Sequence, residues 1–514
     1  MSVERIGKLI VRADASPQTG LGHVIRCTAL AEGWIRGGGE VVFVGSMPDS
    51  VADRLRTRGV RILSDTSTPP RAGGQLPSTD AIRAELGSDR GASGTWVVLD
   101  GYHFDSAYQA AVSTLGCPCL VIDDAAHLSA YHANILLNQN LGSESLPYHL
   151  SSTAETLLGP GYALIRSEFL ARRSHDRPSV DVARHILITM GGGDSRNVTG
   201  SVLRALSQVD DEGLRATVVC GPSNPNLSAL SAQVAACSSN VAIVTDPPSM
   251  AELMATADVA VTAGGSTCWE AALMGLPSLV VVTAENQTGV ASGLAEIGAA
   301  ANLGPAETLG DTLIATALND LCHDAGRRAS MRRRGRMLVD GHGSDRVVSA
   351  MLRRNENLDG LTLRLAVPED ALPLWSLAND RTVRDNAFNS SPIPLASHLA
   401  WFERRLQSSE CCMWMLLAGA DLVGQIRYDV AAPGVVEISF SVARAYRGMG
   451  VGTRLLDRTA RVSCERLGAT TVRGAVMRSN PGSRRAFEKA CFSLARETVI
   501  AGFDCWVFER TYAA

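Results

Sequence analysis

No apolar run in this 514-residue chain approaches the roughly 18 residues that a membrane-crossing helix needs. Charge is not biased to one sign either: 48 Lys and Arg stand against 52 Asp and Glu, a net charge of −4. That balance gives no reason to expect nucleic acid or an anionic membrane as a partner. Met1 to Arg5 lead directly into a strand with no signal-peptide layout, so a cytoplasmic location is expected. Twelve cysteines are present, yet none forms a CxxC pair; the nearest are Cys117-Pro118-Cys119 and Cys411-Cys412, with no histidine cluster beside them. Buried, reduced thiols and no metal site are therefore expected. What is present is an ordinary globular composition, 46% hydrophobic and 19% charged. The length exceeds what one core supports and implies two or three domains.

Residues 1–172 alternate short apolar strands with helical stretches. Leu9-Ile10-Val11 is followed by a turn-rich segment, then by Gly20-Leu21-Gly22-His23-Val24-Ile25-Arg26 and a helix to Ile35. A strand, a glycine loop and a helix present free N–H groups and a helix dipole to a phosphate. A histidine beside such a site can exchange protons near neutrality, although a plain capping turn fits the local pattern equally well. Further strands are Val41–Val44, Arg61–Leu63, Trp96–Asp100 and Cys119–Asp124, with a Pro/Gly/Ser-rich loop over Ser67–Ser78. Continuous apolar runs separated by helices indicate a parallel sheet covered on both faces. Asp100, Tyr102, Asp123 and Asp124 fall at carboxyl ends of strands, where ligands bind in such sheets and where acids also cap turns.

After a polar linker, Arg172 to Asp181, a second set of α/β units covers residues 183–352. It opens with His185–Met190 and the loop Gly191-Gly192-Gly193-Asp194. The strand Asp258–Ala263 runs into Gly264-Gly265-Ser266-Thr267, where glycine admits a diphosphate and Ser266 and Thr267 begin a helix with free N–H groups. Glu270, one turn further on, is within reach of the hydroxyls of an attached ribose. Glu285-Asn286-Gln287 ends the next strand, Leu279–Val282, and its amides can bond sugar hydroxyls or acetamido groups. Two doubly wound halves facing each other across a cleft are expected.

With Arg12-Ala13-Asp14-Ala15-Ser16, Asp123-Asp124, Asn138-Gln139-Asn140, Gly159-Pro160-x-Tyr162-Ala-Leu-Ile-Arg166 and Asp340-Gly341-x-Gly343, these motifs run in order over residues 8 to 350. The stretch resembles nucleotide-sugar enzymes of the GT-B fold, and more closely the UDP-sugar hydrolases of pseudaminic acid biosynthesis. The resemblance implies water attack on the anomeric carbon of UDP-2,4-diacetamido-2,4,6-trideoxy-β-L-altropyranose, releasing UDP with inversion. It implies His23 as general base. It also implies UDP-sugar contacts from Asp14, Gly20, Gly22, Arg26, Tyr102, Gly192, Gly265, Ser266, Thr267, Glu270, Asn286 and Gln287.

A new pattern occupies residues 361–514, after a basic helical tail and the polar linker Asn355–Gly360. Helices at Glu369–Asn379 and Leu395–Gln407 precede strands at Cys412–Leu417, Leu422–Tyr428 and Val435–Val442. The last strand ends at Arg447-Gly448-Met449-Gly450-Val451-Gly452, and a helix follows. Glycines spaced in this way let successive N–H groups wrap a pyrophosphate. The R-x-x-G-x-G spacing in this setting, with Asn480 to Phe492 downstream, resembles the acetyl-CoA signature of the GNAT acetyltransferases. Asn379-Asp380, Val383-Arg384, His398 and Trp401-Phe402 look most like members acting on 4-amino nucleotide sugars. The resemblance implies acetyl-CoA as cosubstrate, held by Val442, Arg447, Gly448, Met449, Gly450, Val451, Gly452 and Asn480. Glu437 is the candidate base, with a solvent-facing strand residue as the other reading. Phe487 stands where many members carry the tyrosine that protonates the departing thiolate.

The expected fold is thus a GT-B-like pair of Rossmann-type domains followed by a GNAT α+β domain. The expected function is N-acetylation of a UDP-4-amino sugar and hydrolysis of the diacetamido product, both substrates being small molecules. The alternative is a UDP-sugar glycosyltransferase carrying a non-catalytic CoA- or sugar-binding sensor domain. The sequence sets neither the sugar's stereochemistry nor the oligomeric state.

Overall fold

A computed structural model describes residues 6–15, 20–63, 78–87, 94–151, 154–173, 180–191, 194–209, 213–221, 224–236, 240–352 and 361–512. Gly192 and most of the 67–78 loop lie outside the described residues. The chain divides into two compact units, Met1–Arg354 and Asn355–Ala514.

The first unit is built on two parallel sheets. In the first are β1 (Lys8–Ala13), β2 (Glu40–Val44), β3 (Arg61–Leu63), β4 (Trp96–Asp100), β5 (Cys119–Ile122), β6 (Ile135–Asn138) and β7 (Glu155–Leu158), in the order β3-β2-β1-β4-β5-β6-β7. Its apolar runs are buried on both faces, as a doubly wound sheet requires. Leu9 and Val11 pack with the helix Gly22–Arg36, whereas Ile10 packs with Ile82, Tyr108 and Val112 on the opposite side. The second sheet contains β8 (His185–Thr189), β9 (Arg215–Cys220), β10 (Asn240–Thr245), β11 (Val259–Ala263), β12 (Ser278–Val282) and β13 (Ala301–Pro305), in the order β10-β9-β8-β11-β12-β13. Strand order reverses between β1 and β4, and again between β8 and β11. Ligand crevices of doubly wound sheets lie at such reversals, beyond the carboxyl ends of the strands.

Three strands of the first unit were not expected. β6 and β7 are four-residue strands, and β13 reads Ala-Asn-Leu-Gly-Pro, a sequence whose glycine and proline ordinarily mark a turn. A boundary also moves. The helix Gly343–Leu352, expected with the second half, packs on the first: Val347, Val348 and Met351 join the core around β1. Gly343 makes this possible, because a Cβ there would lie 2.2 Å from the Ala163 carbonyl oxygen.

In the second unit are β14 (Thr362–Leu365), β15 (Cys411–Ala418), β16 (Asp421–Ala432), β17 (Val435–Val442), β18 (Thr471–Met477), β19 (Ser493–Ile500) and β20 (Phe503–Thr511), ordered β14-β15-β16-β17-β18-β20-β19. Neighbours are antiparallel except β17 and β18, which run parallel and pair only over Val435–Glu437 with Thr471–Arg473. Beyond Glu437 these two strands part.

The described cysteines are unpaired and, apart from Cys411 and Cys491, buried. Among the described residues no helix is long and apolar enough to cross a membrane. Nor do three or more His, Cys, Asp or Glu side chains converge where a metal ion would fit.

Candidate active sites

At the reversal point of the first sheet, the helix Gly22–Arg36 starts without a side-chain cap at Leu21 and without an acidic residue in its first turn. Its leading N–H groups are therefore available to an anion. Gly20 has φ +72°, a left-handed conformation that favours glycine, and a Cβ at Gly20 or Gly22 would meet nothing within 4 Å. The loop borders open space.

His23 projects from this first turn with its Nδ1 2.6 Å from Asp100 Oδ1. Asp100 ends β4 and is fully buried. Arg26, one turn after His23, holds the same carboxylate in a two-pronged grip, Nε to Oδ2 at 2.7 Å and Nη2 to Oδ1 at 2.6 Å. The Cys27 thiol adds a fourth bond, at 3.3 Å. Burial works against the charge on Asp100, but Arg26 and His23 hold its carboxyl well below the usual range. A carboxylate facing Nδ1 fixes the tautomer with hydrogen on Nδ1, so Nε2 is the nitrogen that can take a proton.

The network continues across the two halves. Arg26 Nη1 donates to Asp124 Oδ2 at 3.1 Å, and the Tyr102 hydroxyl donates to Asp124 Oδ1. Asn286 Nδ2, from the second half, donates to Tyr102 Oη at 2.8 Å. Tyr102 also meets the His23 ring edge-on, with centroids 5.3 Å apart. Burial and then the Asp124 charge push its phenol up, so it stays a hydroxyl at neutral pH. At the second reversal point, Gly264 and Gly265 follow β11, and the helix Thr267–Met274 begins with no side-chain cap at Ser266. A Cβ at Gly265 would meet nothing within 4 Å.

Several expected ligand residues carry protein partners. Asp14 accepts bonds from Arg12, His103 and the Ser46 N–H. Burial raises its carboxyl, but His103, Arg12 and Ser46 more than offset this and bring it to about 2. Three Arg26 nitrogens are taken up by Asp100 and Asp124. Glu270 is buried and receives Arg166 at 2.8 Å, an ion pair joining the two halves. Gln287 Oε1 accepts from the Gly264 N–H and from the N–H and hydroxyl of Thr283, which leaves its amide nitrogen for a ligand. Asp14, Arg26 and Glu270 are buried, and a buried polar group must find a protein partner. Asn140 likewise bonds Trp269 across the halves at 3.3 Å. In the sequence Asp100 stands out only as a strand-end acid, and His103 gives no signal because its partner, Asp14, is distant in sequence.

In the second unit, the parting of β17 from β18 opens a cavity of about 1060 Å³. Its lining includes Glu437, Val442, Arg447, Gly448, Gly450, Val451, Gly452 and Asn480; Met449 lies outside it and is exposed. Gly448 and Gly450 have φ +82° and +80°, the loop geometry that lets N–H groups converge ahead of the helix Val451–Arg466. The Arg447 side chain is turned away to Asp380 Oδ1 (2.6 Å) and the Val442 carbonyl (3.0 Å), so it braces the loop. Asn480 caps the helix Pro481–Lys489 through the Ser483 N–H. Phe487 is buried, stacked on Phe508 and edge-on to Phe440 and Phe492. His398 is buried with Nε2 2.8 Å from the Ala371 carbonyl; burial lowers its pKa to about 4 despite that bond, so it stays neutral. Among the described lining residues the one phenol is Tyr446, whose buried hydroxyl has no hydrogen-bond partner.

Residues 185–338 match the glycosyltransferase family 28 C-terminal domain, and residues 360–493 match the acetyltransferase (GNAT) domain. The chain therefore joins a GT-B-like nucleotide-sugar domain to a GNAT acetyltransferase domain. It is 29% identical over 224 residues to the spore coat polysaccharide biosynthesis protein SpsG of Bacillus subtilis, covering 43% of this chain and 66% of that one. It is 24% identical over 194 residues to the Helicobacter pylori pseudaminic acid cytidylyltransferase and UDP-2,4-diacetamido-2,4,6-trideoxy-beta-L-altropyranose hydrolase, covering 37% and 34%. The chain thus spans less than two thirds of either relative. Acinetobacter baumannii MurG superimposes with a TM-score of 0.48 at 19% identity, covering 68% of this chain and 99% of that one.

Exchanging Asp100 for Asn would leave the buried Arg26 guanidinium with Asp124 as its remaining carboxylate partner. The expected cost is about 3 kcal/mol of stability, measured by urea unfolding of the full chain. A loss under about 1 kcal/mol would show that this carboxylate does not anchor the helix Gly22–Arg36.

Proposed function

We propose that the first unit hydrolyses the anomeric C–O bond of a UDP-linked sugar and that the second transfers an acetyl group from acetyl-CoA to the 4-amine of such a sugar. The observation that carries this reading is the His23–Asp100 pair at one reversal point, linked through Asp124 and Tyr102 to Asn286 beside the glycine loop of the other.

In the hydrolytic step His23 Nε2 takes a proton from water while Asp100 holds Nδ1–H and stabilises the resulting imidazolium. The water oxygen bonds to the anomeric carbon, the bond to the diphosphate oxygen breaks, and its electron pair leaves with UDP. Uncapped helix starts at Gly22 and Thr267 meet that developing charge, so no strong general acid is required. Gly265, Ser266 and Thr267 face the diphosphate, and Asn286 and the Gln287 amide face the sugar. The name of the Helicobacter relative supports a 2,4-diacetamido-2,4,6-trideoxy sugar as substrate, and with it a place in pseudaminic acid biosynthesis.

For the acetyltransferase, Glu437 is exposed on the cavity wall and is the base for the substrate ammonium, through water. The parted strands and the left-handed glycines at 448 and 450 fit the acetyl-CoA pantetheine and pyrophosphate. As the amine nitrogen bonds to the acetyl carbon, the C–S bond breaks and the thiolate needs a proton. Phe487 cannot give one, whereas the Tyr446 phenol can. Acetylation followed by UDP removal makes consecutive steps on one chain.

The glycosyltransferase reading, in which an acceptor hydroxyl replaces water, is favoured by the family 28 match alone. UDP release from the nucleotide sugar with no acceptor present separates the two. His23→Ala is expected to slow that release about 100-fold with UDP binding retained; turnover like the wild type would remove His23 from the mechanism. Tyr446→Phe is expected to lower kcat for acetyl transfer at least about tenfold with little change in KM for acetyl-CoA. An unchanged kcat would leave protonation to water.

A further inference from the structure

We propose that Arg384 is a specificity-determining residue of the acetyltransferase cavity: it receives a phosphate of the amine-bearing substrate and so selects sugars that still carry a nucleoside diphosphate. It lines the cavity from the short helix Arg381–Asp385, a different element from the glycine loop. Among the described lining residues Glu437 is the one acid, against six arginines and one lysine. That excess suits phosphorylated ligands, and the partners of each cation show which position is left for the second substrate.

Four of the arginines already meet an acid. Arg427 lies 2.6 Å from Asp429, Arg447 lies 2.6 Å from Asp380, and Arg473 and Arg496 share Glu509 at 2.6 and 4.0 Å. Arg485 and Lys489 stand on the helix Pro481–Lys489, which lies against the glycine loop: a Cβ at Gly452 would be 3.3 Å from Ala486 Cβ. They are on the side assigned above to acetyl-CoA. Arg384 differs from all of these. Its contacts are the main-chain oxygens of Asn389 and Ser391, each 3.3 Å from Nη1, and its Nε is buried with no hydrogen-bond partner. A guanidinium has five N–H donors, and two long bonds to neutral carbonyls neither use them all nor balance the charge. Burial works against that charge, so an anion brought by a ligand has most to gain here.

The fold also sets where this charge stands. Asp380, the N-cap of the Arg384 helix, accepts from the Val383 N–H at 3.1 Å and from Arg447 Nη2 at 2.6 Å. That acid is spent on its own helix and on the glycine loop, so it does not serve Arg384. The same contact ties the Arg384 helix to the loop and fixes the spacing of two anion positions in one cavity. Two phosphorylated substrates meeting at one amine and one thioester need two such positions. A free amino sugar or a polyamine would bring nothing to balance Arg384 and would find only Glu437 for its ammonium groups.

This role rests on the acetyltransferase reading above, and the test keeps the two apart. Initial rates of thiol release from acetyl-CoA by the full chain are compared for two acceptors, the UDP-4-amino-4,6-dideoxy sugar and the methyl glycoside of the same sugar. Arg384→Gln is expected to raise KM for the UDP-sugar about tenfold, with KM for acetyl-CoA unchanged. Arg384→Lys, which keeps a cation without the planar fork, is expected to recover part of that loss. With the methyl glycoside, the substitution is expected to change nothing, because no phosphate is there to lose its partner. An unchanged KM for the UDP-sugar, an equal loss on both acceptors, or a rise confined to acetyl-CoA would overturn the proposal. No thiol release from the unaltered chain with either acceptor would sink the acetyltransferase reading instead. Calorimetric titration of the CoA-loaded chain with the UDP-4-amino sugar would then decide Arg384: weaker binding in Arg384→Gln supports the anion site, and an identical isotherm overturns it.

Discussion

The first unit depends on one buried carboxylate. Asp100 ends a strand whose every residue is buried, and putting a charge there costs several kcal/mol unless donors surround it. Arg26, His23 and Cys27 are those donors, and all three come from the first turns of a single helix. Satisfying Asp100 therefore sets the rotation and depth of that helix against β4. It places the glycine loop over the reversal point and fixes which nitrogen of His23 faces outward. The stability requirement and the catalytic geometry are one arrangement.

A second constraint joins the halves of that unit. The chain crosses once into the second sheet and returns as the helix Gly343–Leu352, seated where Gly343 meets Ala163 without a side chain between them. Asp340 pairs with Arg346 beside this contact, and Arg166 reaches Glu270 across the seam. The fixed seam and the Tyr102–Asn286 bond act at different places, one through packing and the other through exposed polar groups. Exposed bonds open far more cheaply than packed apolar surface.

The apolar strands and the glycine loops were legible in the sequence because their signals are local. Val41–Val44 or Leu279–Val282 can only be buried strands, and Gly448 and Gly450 announce a left-handed loop. The strands β6, β7 and β13 were not legible, since four or five residues are too few to show a period, and β13 also holds a glycine and a proline. Side-chain roles were the least readable. Asp14, Arg26, Glu270 and Gln287 have the chemistry to hold a nucleotide sugar, but that chemistry is equally what a buried partner needs. Only the fold shows that Arg12, Asp100, Arg166 and the Gly264 N–H are their protein partners.

The central claim is that water, activated by His23, breaks the bond between the anomeric carbon and the UDP oxygen. Turnover of the UDP-sugar in H₂¹⁸O, with no acceptor present, tests it most directly by mass spectrometry of both products. The account predicts one ¹⁸O in the free sugar, at the anomeric position under conditions that outpace exchange, and none in the UDP. Label in the UDP phosphate, or no release until an acceptor is added, would contradict it.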